Sequence, residues 1–288
     1  MEFAKLCQEG DLATLQAYCA QATVTAAQIR KTHALLWASA YGHLEVARWL
    51  QQTFQLTALD ARAEDNWALR LACANGHLEF ACWLQQTFQL TAADARVKNN
   101  YALHRACANG HLEIARWLQQ TFQLTTTDAR SKNSCALHLA CTCGHLEIVR
   151  WLQQTFQLTE VDIQSENNRT VCLVCERGHL EVLRWMQRTW GIPPDALAAA
   201  TSSSVPAPCA AYLRGLRALR WSPRTHADFP LSARRLALLL LLVNQRLARG
   251  SGELPYLPPE LWFHLLSYLP THLSTHLPTH LPTHLPAQ

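Results

Sequence analysis

The chain has 288 residues, and 25 basic against 21 acidic ones leave a formal charge of +4, too mild a surplus to mark a nucleic-acid-binding surface. Hydrophobic residues make up 49% and charged ones 16%, which suits a packed chain and excludes a disordered one. Met1 to Lys5 lack the apolar core of a secretory signal and the eleven cysteines are an odd count, so free buried thiols in a reducing, intracellular, cytoplasmic setting are expected instead of a disulfide framework.

Residues 1–23 read as a degenerate capping repeat. Cys7-Gln8-Glu9-Gly10-Asp11-Leu12 follows the helix-turn-helix pattern of what comes after it, with polar substitutions that suit a terminal unit facing water. Residues 24–192 carry the repeat itself. Gly42, Gly76, Gly110, Gly144 and Gly178 stand 34 residues apart, each followed by His-Leu-Glu, and a fixed period of this length marks a stack of small identical units. Within one unit, Leu103, Ala106 and Cys107 give one helix face. Gly110 ends that helix, and Leu112, Ala115, Leu118 and Phe122 form the inner face of a second, flanked by Ile114 and Trp117. The pairs Glu45/Arg48, Glu113/Arg116, Glu147/Arg150 and Glu181/Arg184 sit at i,i+3 on the outer side, a solvated face. Trp49, Trp83, Trp117, Trp151 and Trp185 keep one position and are expected in the core. Cys73, Cys107, Cys141 and Cys175 keep another and read as small buried residues. No second cysteine pair completes a zinc site with Cys141-x-Cys143 or Cys172-x-x-Cys175, so no metal and no cofactor are expected.

The run Ala136-Leu137-His138-Leu139-Ala140-Cys141-Thr142-Cys143-Gly144-His145-Leu146-Glu147 resembles the ankyrin-repeat consensus. The resemblance implies an all-α, ankyrin-type helical solenoid of about six stacked helix pairs, joined by loops or β-hairpin fingers, with protein binding as its activity. The chain departs from the family by lacking the proline before the first helix and the glycine at the finger tip. Asp65-Asn66, Asn99-Asn100 and Asn167-Asn168 supply the left-handed turn in its place, and Leu-Thr-x-x-Asp at 56–60, 90–94, 124–128 and 158–162 reads as a capped helical turn within the connector. A target protein would meet the positions that vary while the core repeats: Tyr41, Trp67, Arg70, Asn75, Tyr101, Arg105, Asn109 and Arg169. Trp67, Tyr101 and Arg105 are of the types that dominate interfaces. Trp67 and Tyr101 would serve equally well as cover for the neighbouring repeat.

Residues 193–211 are a linker by composition, rich in serine and proline. Residues 212–250 form a basic helical region whose apolar run, Leu236 to Val243, is eight residues long against the ~20 a bilayer span needs; no membrane span is expected. In 251–270, Leu257-Pro258-Pro259-Glu260-Leu261 starts an amphipathic helix carrying Leu265, Leu266 and Leu269. The segment resembles the first helix of an F-box, as in viral ankyrin/F-box-like proteins. That resemblance implies docking of Leu257, Pro258, Leu261, Trp262, Leu265, Leu266 and Leu269 onto a linker subunit of a cullin ubiquitin ligase; an ordinary packing helix has the same pattern. Residues 271–288 repeat Thr-His-Leu-Pro, which offers no core and forbids a helix, so a disordered tail is expected. No phosphate-binding loop, metalloprotease helix or nucleophile elbow occurs, so the chain reads as a substrate adaptor or a plain scaffold and not as an enzyme.

Overall fold

The computed structural model of the protein describes residues 2–22, 24–164, 169–191 and 205–218. The Asn167-Asn168 turn, most of the 193–211 linker, the basic region beyond residue 218, the box at 251–270 and the tail lie outside the described residues. The chain divides into two compact units, 1–158 and 159–288, and each is described by itself.

The first unit holds five antiparallel helix pairs. They are α1 (Glu2–Glu9) with α2 (Leu12–Gln21), α4 (Ala34–Tyr41) with α5 (Leu44–Phe54), α7 (Ala63–Ala74) with α8 (Leu78–Phe88), α10 (Val97–Ala108) with α11 (Leu112–Phe122), and α13 (Ser131–Thr142) with α14 (Leu146–Phe156). Short helices bridge them: α3 (Ala26–Lys31), α6 (Ala58–Ala61), α9 (Ala92–Ala95) and α12 (Thr126–Ala129). The first helices of successive pairs pack on one another, α1 on α4, α4 on α7, α7 on α10 and α10 on α13. This is the ankyrin-type stack that the 34-residue period demands, since neither helix of a pair can bury its apolar face alone.

The core is built from small and branched side chains at recurring positions. Ala72, Cys73, Ala106, Cys107, Ala140 and Cys141 are fully buried, as are Leu84, Leu118 and Leu152. On α11 the buried residues are Ile114, Ala115, Leu118 and Phe122, whereas Leu112, expected inside, is half-buried. The tryptophan row also departs from expectation. Trp49, Trp83, Trp117 and Trp151 are each half-buried, and each sets its ring edge-on to the phenylalanine five residues later, at 5.4–5.6 Å. Five residues is neither three nor four, so these rings occupy the flank of the helix and cover a phenylalanine that is buried at 88, 122 and 156 and half-buried at 54.

Successive repeats are locked by two ladders. In the first, a histidine reaches back over the turn glycine of the preceding repeat. His77 Nε2 donates to Ala40 O at 3.1 Å, His111 to Ala74 O at 3.1 Å and His145 to Ala108 O at 3.0 Å, and His43 does the same to Gln8 O at 2.7 Å. In the second, one aspartate closes its own connector and clamps the repeat before. Asp94 accepts from Thr91 N at 2.8 Å and Thr91 Oγ1 at 2.9 Å, and from Arg62 Nε and Nη2 at 2.9 and 3.1 Å. Asp128 repeats this with Thr125 and Arg96, and Asp60 with Thr57 and Arg30. The capping box satisfies orphan helix donors, and the bidentate arginine adds a strong, directional contact between repeats.

The connectors are helical, and among the described residues no strand forms, so the β-hairpin finger that the resemblance implied is replaced. In its place three consecutive residues take left-handed backbone: Glu64-Asp65-Asn66, Lys98-Asn99-Asn100 and Lys132-Asn133-Ser134. Such residues cost roughly 1–2 kcal/mol each, and nearby donors offset part of this. Arg70 Nε and Nη2 donate to Asp65 O and Glu64 O at 2.9 and 2.8 Å. In the next repeat His104 Nε2 donates to Ser131 Oγ at 3.1 Å, and Ser131 Oγ donates to Asn99 O at 3.2 Å. The same carbonyl is served in both repeats by different chemistry.

The second unit, taken alone, begins with α15 (Val161–Gln164), whose Asp162 accepts from Thr159 N at 2.8 Å. A sixth helix pair follows, α16 (Arg169–Glu176) and α17 (Leu180–Thr189), and then α18 (Ala207–Ala218) packs against α17. Cys209 and Leu213 of α18 are fully buried, and Arg184 lies over the Tyr212 ring at 5.7 Å. Pro206 stands 3.3 Å from where a Cβ on Gly178 would be, the place a histidine ring takes in the first unit. The helix expected from Tyr212 thus starts at Ala207. Among the described residues, no helix is long and apolar enough to cross a membrane.

Candidate interaction face

The first helix of each pair shows its open side beside the connectors. Every large aromatic residue exposed on these helices in the first unit comes from positions that change between repeats: Trp37, Tyr41, Trp67 and Tyr101 are 37%, 53%, 42% and 39% exposed. Trp67 and Tyr101 are equivalent residues of neighbouring repeats. Each follows directly on a left-handed turn, so the turn sets where its ring stands. Tyr41 stacks on His43, ring centroids 6.2 Å apart and 7° from parallel.

Arg70 is both a brace and part of the face. Its guanidinium, held by the Glu64 and Asp65 carbonyls, also lies 5.2 Å over the Tyr101 ring, a cation–π contact joining two repeats. Asn75 and Asn109 are exposed, but their amides are engaged: each donates to the carbonyl that the following histidine also uses, Asn75 to Ala40 O at 2.7 Å and Asn109 to Ala74 O at 2.6 Å. Arg105 is half-buried, one helical turn beyond Tyr101. Arg169 is exposed at the start of α16, in the second unit. Leu257, Pro258, Leu261, Trp262, Leu265, Leu266 and Leu269 lie outside the described residues.

One feature was missed in the sequence: a groove of about 370 Å³ lined by Ile29, Leu35, Leu36 and Leu56, with His33 and Leu59. It arises because the connector from Thr25 to His33 is two residues shorter than that from Thr57 to Trp67, so only His33 is left-handed there. The 32-residue step from Gly10 to Gly42, against 34 between the later turn glycines, carries this deletion in the sequence. The cysteines at the repeated position are buried, as their recurrence led one to expect, and deeply enough to silence them. Burial pushes the Cys7 and Cys175 thiols up to about 12, and those of Cys73, Cys107 and Cys141 further still. Among the described residues no group of three histidine, cysteine or acidic side chains could hold a metal.

The fold is therefore that of a helical repeat protein of the ankyrin type, and its varied surface is the candidate interaction face. Residues 86–167 match the family model described as ankyrin repeats, three copies, a family whose role is protein–protein interaction. Comparison with curated proteins gives no match.

Proposed function

We propose that the chain binds a target protein through the first-helix face, and catalyses nothing itself. The observation that carries this is the pair Trp67 and Tyr101, two aromatic rings half open to water at equivalent positions of adjacent repeats. Rings of this kind dominate interface energetics, because they bring large area with few rotors to freeze. Trp67, Tyr101, Tyr41 and Arg105 make the contact in this reading. Arg70, Asn75 and Asn109 hold the face in register, and Arg169 offers a charge on the second unit. Replacing Trp67 by Ser together with Arg105 by Ala should leave the helical circular dichroism intact and weaken a cross-linked partner by on the order of thirtyfold. Lost folding, or an unchanged partner set, would remove the assignment.

A second reading rests on Leu257-Pro258-Pro259-Glu260-Leu261 and the leucines at 265, 266 and 269. This stretch, similar to an F-box helix, supports a substrate adaptor that recruits a cullin ubiquitin ligase, inside a reducing compartment that suits the free thiols. Affinity capture with the full chain and with one ending at Gly250 separates it from a plain scaffold. Ligase subunits held by the full chain alone, and lost on Pro258→Ala with Leu261→Ala, support the adaptor. Identical captures support the scaffold.

A further inference from the structure

We infer that the face spanning α7, α10 and α13 takes an acidic segment of the partner, its apolar side chains on Trp67 and Tyr101 and its carboxylates at Arg105 and Lys132. This rests on the protein-binding reading above and adds the chemistry of the bound segment.

The charge on this face is uneven. Two of the second helices pair their ions internally, Glu45 with Arg48 and Glu113 with Arg116 at 3.4 and 3.5 Å. The first helices and their turns do not. Residues 97–109 and 131–143 contain Lys98, Arg105 and Lys132 and no carboxylate. Lys98 is taken by Asp65 across the repeat boundary at 2.8 Å. Arg105 and Lys132 meet no carboxylate among the described residues, whereas Arg70, hydrogen-bonded to two carbonyls, also feels the Asp65 carboxylate. The cations without a carboxylate, Arg105 and Lys132, therefore follow Tyr101 in the stack, while Glu64 and Asp65 precede Trp67 in the chain and Asp65 is spent on Lys98.

Unpaired cations flanking exposed aromatic rings complement a carboxylate-rich, partly apolar segment: the carboxylates gain charge-assisted bonds, and the rings gain apolar cover. Single-stranded RNA also answers to cations among aromatics. Here, however, the whole chain carries only +4, too mild a surplus to favour a polyanion over a short acidic segment.

The test selects a phage-displayed library of random linear peptides on the full chain. Recovered peptides should be enriched in aspartate and glutamate beside apolar residues. A selected peptide, synthesised with fluorescein, should lose on the order of tenfold or more in affinity on Arg105→Glu with Lys132→Glu. It should also weaken as salt rises. Unchanged circular dichroism is expected for that variant, since neither side chain meets a carboxylate. Peptides that need Trp67 but show no acidic excess would overturn this inference and leave the protein-binding reading standing. No Trp67-dependent peptide at all would overturn both, and displacement of the peptide by a single-stranded oligouridine at lower concentration would assign the face to RNA.

Discussion

The imidazole of His111 occupies the space that a Cβ on Gly76 would take: its Cε1 is 2.8 Å from that position while its Nε2 donates to Ala74 O. Gly76 is thus required twice, once by its φ of 87° and once by the ring of the next repeat. Gly76→Ala should cost about 1–2 kcal/mol for the left-handed backbone and about 1 kcal/mol more for the displaced hydrogen bond. In the Gly76→Ala background, His111→Ala should then cost less than it does alone. A double-mutant cycle by urea unfolding measures this coupling, and simple additivity would mean that the ring yields freely.

Acid should unfold the chain in two stages. Burial, with some repulsion from Lys132, lowers the His104 imidazole to about 4, so His104 is neutral in the fold and takes a proton more readily in the unfolded chain, near 6.5. Its contribution is complete above about 6.5 and is lost as pH falls from there to about 4. For Asp94, burial works to raise the carboxyl, but bonds from Arg62 and Thr91 overcome it and hold it at about 2. Arg96 chiefly does the same for Asp128. Their folded values lie below the unfolded value of about 3.9, so this stability is present above that pH and disappears as pH falls towards about 2. His104→Gln should flatten the upper stage only. Asp128→Asn should flatten the lower one and cost about 1.5–3 kcal/mol at neutral pH. Chemical denaturation across an acid pH series checks both slopes.

Much of this was legible in the sequence because repetition amplifies it. The glycine period fixed the helix pairs, and Thr-x-x-Asp announced the capped connectors, since a side chain three residues away serves the same turn wherever it occurs. The aspartate's second partner was not legible: Arg62 and Asp94 stand 32 residues apart, and their pairing needs the stack to exist first. The same holds for His104, Ser131 and Asn99. Trp117 was misplaced because its recurrence was read as burial, when recurrence fixes only a common position. On the face itself, sequence marked Asn75 and Asn109 as open to a partner, and their geometry shows amides already committed to the preceding repeat.

Leu118 and Trp117 separate position from size. Leu118 is fully buried, and Leu118→Ala should cost about 2–5 kcal/mol. Trp117 is far larger but half-buried, its ring edge-on to Phe122 at 5.4 Å. Trp117→Ala should therefore cost less than the roughly 3–5 kcal/mol of a buried tryptophan, and Trp117→Phe less again. Urea unfolding of the three variants orders them. If Trp117→Ala proved the most costly, the ring would be a core element after all.

The thiols divide by burial in a way that reagents can read. Cys7, Cys73, Cys107 and Cys141 of the first unit are fully buried, and burial above all holds their thiols well above the ordinary value. Cys19, Cys82 and Cys143 are half-buried. The attacking species is the thiolate and must be reached by the reagent, so access favours the second group. Iodoacetamide applied to the native chain, with mass spectrometry of the peptides, should mark Cys19, Cys82 and Cys143 first and leave Cys7, Cys73, Cys107 and Cys141 unmodified until denaturant is added. Early labelling of Cys107 would mean that α10 and α11 part in the native state. Cys107→Ala should meanwhile be mild, since alanine leaves the helices α10 and α11 in contact and removes only one sulfur's packing.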